Sequence, residues 1–105
     1  MEEDKETLRE LISEFILSLE IDTLQLQLAF QNGDLVDLGN VAHKLKSVFR
    51  YLGVTHVEPF LRELESLCRA GDSDPQIKRM VEEVIRCGTE ALTEVRQLMH
   101  QLFPT

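Results

Sequence analysis

At 105 residues the chain can form one hydrophobic core but not two independently stable ones, so a single domain spanning residues 1–105 is expected. A hydrophobic fraction of 43%, no Trp, one Tyr and three Pro point to a helical protein rather than a disordered or β-rich one. The formal charge of −8 argues against general binding to nucleic acid or an anionic membrane, because both depend on Lys and Arg meeting phosphate.

The opening residues Met1 to Glu6 lack the basic-then-apolar profile of a signal peptide. No apolar run approaches the roughly 18 residues of a membrane span, and a cytoplasmic location is the expectation. Leu8, Leu11, Ile12, Phe15, Ile16 and Leu19 recur at helical spacing. From Thr23 to Phe30 apolar and polar residues alternate as in a strand, with Leu24, Leu26, Leu28 and Phe30 as the apolar set. A solitary strand would leave its backbone groups without partners, so this stretch reads as a helix apolar on two sides.

Breaks fall at Asn32-Gly33-Asp34, at Gly53-Val54-Thr55 and from Ala70 to Pro75. Each holds a Gly suited to a helix end and a side chain, Asp34, Thr55 or Asp74, able to cap the next helix. Between the first two breaks the seam is Leu38, Val41, Ala42, Leu45, Val48, Phe49 and Leu52. Val57, Phe60, Leu61, Leu64, Leu67 and Cys68 form the next, with Pro59 tolerable in the first turn. A long final helix follows Pro75, running from Ile77 to Leu102 with Gly88 in its seam, where a neighbour can approach closely. Short loops imply antiparallel neighbours. Cys68 and Cys87 fall within apolar patterns and are expected as buried thiols.

His43 stands out against this frame. With Leu45 at the centre of the buried face, His43 lies about 160° away, Arg50 about 140° and Lys46 about 100°. Gly39 and Ser47, one turn to either side, are small and leave the ring accessible to another protein. A helical Gly39 costs roughly 1 kcal/mol relative to Ala, which calls for a packing or access reason. Between Leu38 and Val57 there is no Asp or Glu, so Lys44, Lys46 and Arg50 are unopposed in sequence. An exposed imidazole is nucleophilic at neutral pH, and Lys46 and Arg50 could neutralise a phosphoryl group upon it. His43, His56 and His100 lack the i, i+4 pairing of helical metal ligands, so no metal site is expected. No G-x-S-x-G turn supports a hydrolytic triad.

Ala42-His43-Lys44-Leu45-Lys46-Ser47, followed by Leu52-Gly53-Val54, resembles the signature of histidine-containing phosphotransfer (Hpt) domains, A-H-x-L-K-G-S and then L-G-A. Nearly the whole chain follows the family's order. The resemblance implies an all-α fold, an antiparallel up-and-down four-helix bundle with an additional N-terminal helix. It makes His43 the phosphoacceptor, Lys46 the phosphate-facing cation and Glu65 the residue, often Gln, that hydrogen-bonds the imidazole. Gly39, Lys44, Ser47 and Arg50 would then meet the partner. The implied partners are a response-regulator receiver domain and a hybrid sensor kinase, with Mg²⁺ supplied by the receiver and no autonomous kinase activity. Ser47 replaces the usual Gly, and Phe49-Arg50-Tyr51 is bulkier than the usual run, which bears on partner choice. A bundle of this size is expected to be a monomer unless an apolar patch is exposed. The alternative is a non-catalytic adaptor that binds an acidic partner through Lys44, Lys46 and Arg50.

Overall fold

The computed structural model describes residues 2–71 and 74–104, with the backbone alone at residues 2 and 3. Asp72 and Ser73 of the third sequence break lie outside the described residues. Four helices follow in order: α1 (Glu2–Gln31), α2 (Leu35–Tyr51), α3 (Glu58–Ala70) and α4 (Gln76–Leu102). Among the described residues each helix packs on its two neighbours in a ring, α1 on α2, α2 on α3, α3 on α4 and α4 on α1. This is the up-and-down four-helix bundle.

The additional N-terminal helix is not a separate element. Nothing between Glu2 and Gln31 is Pro or Gly, so the hydrogen-bond ladder continues and the N-terminal turns extend α1 itself. At 1.5 Å per residue α1 and α4 are about 45 and 40 Å long, against about 25 and 20 Å for α2 and α3. The two long helices therefore outrun the short ones, giving a body of 52 × 19 × 19 Å. Leu98 and Leu102 of the α4 seam stay exposed because α2 and α3 do not extend along that end of the bundle.

The helix ends follow local chemistry. Gly33 and Gly53, which bracket α2, take positive φ of 67° and 74°, a conformation that L side chains rarely adopt. Asp34 caps α2 by accepting a hydrogen bond from the Asp37 amide at 3.0 Å. Ahead of α4 the N-cap residue is Pro75, and the side chain of Asp74 before it accepts from the Gln76 amide at 2.8 Å. Thr55 differs from expectation: α3 begins three residues later, Val57 is its N-cap residue, and no side chain caps it. Pro59 lies in its first turn, where a missing amide hydrogen costs nothing.

The seams meet in one core. Leu38, Val41, Ala42, Leu45 and Phe49 of α2 pack against Leu61 and Leu64 of α3, Leu19 and Leu26 of α1, and Val81 and Val84 of α4. Truncating a side chain as buried as Leu45, 0% exposed, to Ala would cost about 2–5 kcal/mol. Two glycines set helix spacing. A Cβ on Gly39 would lie 3.1 Å from Cys68 Cβ, and one on Gly88 would lie 3.0 Å from Thr23 Oγ1. Close approach to α3 is thus the packing reason for Gly39, and close approach to α1 that for Gly88.

Candidate functional site

The acid-free stretch of α2 lays His43, Ser47 and Arg50 along its outer surface, while Leu45 and Phe49 anchor the opposite face. Gly39 against Cys68 draws α3 close enough for its Glu65 to reach under the imidazole. His43 Nδ1 lies 2.9 Å from Glu65 Oε1; the histidine side chain is 64% exposed, whereas Glu65 is buried. Lys46 Nζ reaches the other carboxylate oxygen, Oε2, at 2.7 Å. Arg69, one turn along α3, donates to Oε1 at 2.6 Å.

Glu65 is therefore shared by three groups. The Lys46 hydrogen bond is the largest cause that holds its carboxyl below the usual range, with His43 and Arg69 acting in the same direction against the opposing effect of burial. An ionised Glu65 can only accept, so Nδ1 carries the ring hydrogen and donates it. That leaves the Nε2 lone pair free on the exposed side of the ring. Two cations share one carboxylate, so the cluster around Glu65 keeps an excess of positive charge beside the ring. A depression of about 270 Å³ opens beside the imidazole, lined by Val36, Gly39, Asn40, His43, Glu65 and Arg69 among others.

The other expected site residues are distributed differently. Lys44 points toward α1 and pairs with the buried Asp22 at 3.3 Å. Arg50 pairs with Glu58 at the start of α3, which Arg62 also approaches at 3.6 Å. The cations that are unopposed in sequence are thus opposed in space, each by a carboxylate from another helix. Gly39 is buried against Cys68 and offers a partner little surface beyond its edge of the depression. Ser47 is exposed and lines a second hollow with Arg50 and Tyr51, whose ring centroid is 6.0 Å from that of Phe15.

Arg69, Asp22 and Glu58 were not among the candidates read from the sequence. Arg69 carries a legible signal, since Glu followed by Arg four residues later is a helical ion pair. Asp22 does too, as the one charge in the run from Ile21 to Asn32. Both Cys68 and Cys87 are buried free thiols. His56 does have a neighbour, Cys87 Sγ at 3.5 Å from its Nε2, but burial pushes the Cys87 thiol up and keeps it protonated. Among the described residues no three His, Cys, Asp or Glu side chains are grouped as metal ligands would be. No helix there is long and apolar enough to cross a membrane.

A four-helix bundle that holds one imidazole outward on a buried carboxylate, next to an ammonium, has the form of a carrier that takes a group on a histidine nitrogen. Residues 10–103 match the Hpt domain, and the chain belongs to that family. Its coarse function follows: histidine phosphotransfer within a phosphorelay, in a family that works with response-regulator receiver domains. No curated protein and no solved structure shows significant similarity to the chain.

Proposed function

We propose that His43 accepts a phosphoryl group from the aspartyl phosphate of a receiver domain and passes it to the aspartate of a second receiver. The observation that carries this is the 2.9 Å contact between His43 Nδ1 and buried Glu65, which leaves Nε2 exposed as the nucleophile. In the forward step the Nε2 lone pair attacks phosphorus, the bond from phosphorus to the aspartyl oxygen breaks, and its electron pair leaves with the receiver's carboxylate. No proton has to depart, because Nδ1 keeps its hydrogen and Glu65 balances the positive charge that develops on the ring. Lys46, held at 2.7 Å from Glu65, lies one turn from His43, and the ammonium hydrogens not used by Glu65 are the donors for the phosphoryl oxygens in this reading. Arg69 holds the Glu65 carboxylate from the other side.

Mg²⁺ belongs to the receiver's acidic pocket, and this chain acts as a carrier without kinase activity of its own. The donor receiver is part of a hybrid sensor kinase, and the exchange takes place in the cytoplasm. A purely adaptor role through Lys44, Lys46 and Arg50 has less support, because these three cations turn to three separate carboxylates and form no common face. Incubation with a receiver loaded with labelled phosphate separates the two. A carrier acquires acid-labile, base-stable label, whereas an adaptor binds the receiver and stays unlabelled.

A further inference from the structure

The second apolar side of α1 is not used by the bundle. Leu17, Ile21, Leu24 and Leu28 are 57%, 44%, 57% and 47% exposed, on the face of α1 opposite buried Leu19 and Leu26. Their spacing is four, three, four, the a/d pattern of a coiled-coil seam. Apart from the partly exposed Glu20–Arg96 ion pair on one flank, the surface around them is uncharged: the exposed residues from Leu17 to Asn32 are otherwise Ser18, Gln25, Gln27, Gln31 and Asn32. The two carboxylates within that span are both engaged, Glu20 with Arg96 and Asp22 with Lys44. On a chain of net charge −8 this is a neutral apolar strip about 20 Å long.

We infer that this strip is a self-association surface, on which α1 of a second copy of the chain packs antiparallel about a two-fold axis between Ile21 and Leu24. The four-three-four spacing reads the same in both directions, so a reversed copy places Leu17 opposite Leu28 and Ile21 opposite Leu24. That is the self-complementarity an isologous interface requires. Charge favours the same orientation. Glu10 and Glu14 continue the line of the strip toward the N-terminus; a parallel pair would set each against its own copy, whereas the antiparallel pair sets Glu14 opposite Gln31. Two acidic bodies thus meet where no carboxylate faces another. A helix pair of this length buries roughly 500 Å² per partner, below the standard interface size, so the dimer is weak and reversible. His43 lies on α2 at its junction with α3 and stays accessible in both copies. The monomer expected from chain length is accordingly the dilute form.

Molar mass from light scattering or sedimentation, between about 10 μM and 1 mM, tests this. Wild-type mass should rise from 12.1 kDa toward twice that value, and the rise should steepen with added salt as like-charge repulsion is screened. Leu17→Glu with Leu24→Glu, both at exposed positions, should remain monomeric throughout with unchanged helical circular dichroism. Oxidising a mixture of Ser18→Cys chains and Gln25→Cys chains should link one of each, since these positions adjoin across the antiparallel seam. A wild-type chain monomeric across the whole range overturns the inference, as does absence of the mixed disulfide. Loss of phosphoryl transfer from a receiver to the dilute Leu17→Glu, Leu24→Glu chain also overturns it, because the strip's occupant would then be the receiver.

Discussion

Glu65 lies under His43 as a buried acceptor, 2.9 Å from Nδ1, while the imidazole above it is 64% exposed. One residue is fixed by burial and the other is free to meet a partner, and this division gives the ring a defined tautomer without closing it to solvent. Replacing Glu65 by Gln keeps an acceptor for Nδ1 but removes the charge. Phosphoryl transfer to His43 should fall by about tenfold in Glu65→Gln and further in Glu65→Ala, in keeping with about 1.5–3 kcal/mol for a charged hydrogen bond. Rates of label uptake from a loaded receiver measure both.

The same carboxylate gives a pH signature. Its folded-state value lies below the ordinary 4.5, chiefly through the Lys46 hydrogen bond, so its ionisation stabilises the folded form above that ordinary value. The contribution disappears as pH falls through the lower, folded value. Urea unfolding should therefore show wild type more stable than Glu65→Gln at pH 7, with the gap closing in acid below about pH 4. A gap that persists or widens there contradicts the assignment.

Lys44 and Lys46 are expected to respond differently to the same substitution. Its ammonium is 3.3 Å from Asp22, whose side chain is only 6% exposed. Lys44→Met leaves that carboxylate buried without its partner and should destabilise the bundle by about 1–3 kcal/mol, although Lys44 is itself a surface residue. Transfer to His43 should stay near wild type. Lys46→Met should do the reverse to activity, slowing transfer about 10- to 100-fold, because its ammonium is one turn from the phosphoryl site.

Helix spacing is open to a coupled test. A Cβ at position 88 would meet Thr23 Oγ1 at 3.0 Å, so Gly88→Ala should destabilise by about 1 kcal/mol despite the better helix propensity of Ala. Removing the hydroxyl with Thr23→Ala should recover most of that loss, giving a positive coupling in a double-mutant cycle of thermal unfolding. Additive effects would place the strain elsewhere.

The bundle was legible in the sequence because its signals are local. Gly33 and Gly53 end helices, Asp34 begins one, and the α2 seam from Leu38 to Leu52 names its own buried face. The two-sided apolar character of Thr23 to Phe30 was legible as well, and Leu26 inside with Leu24 and Leu28 outside is its structural form. The candidate site was legible only in part. His43 could be placed by angle on its helix, but the partners of Lys44 and Arg50 come from α1 and α3, and lateral neighbours follow from the packing of helices rather than from spacing along one of them. Gly39 shows the same limit, since one helix alone does not distinguish access to His43 from contact with Cys68.

The proposed role of His43 as phosphoryl carrier is measured directly by label transfer from a receiver domain loaded with radioactive phosphate to the wild-type chain and to His43→Gln. The wild type should take up acid-labile label and return it to a second receiver, while His43→Gln, folded to the same helical content, should take up none. Undiminished labelling of His43→Gln would contradict the account.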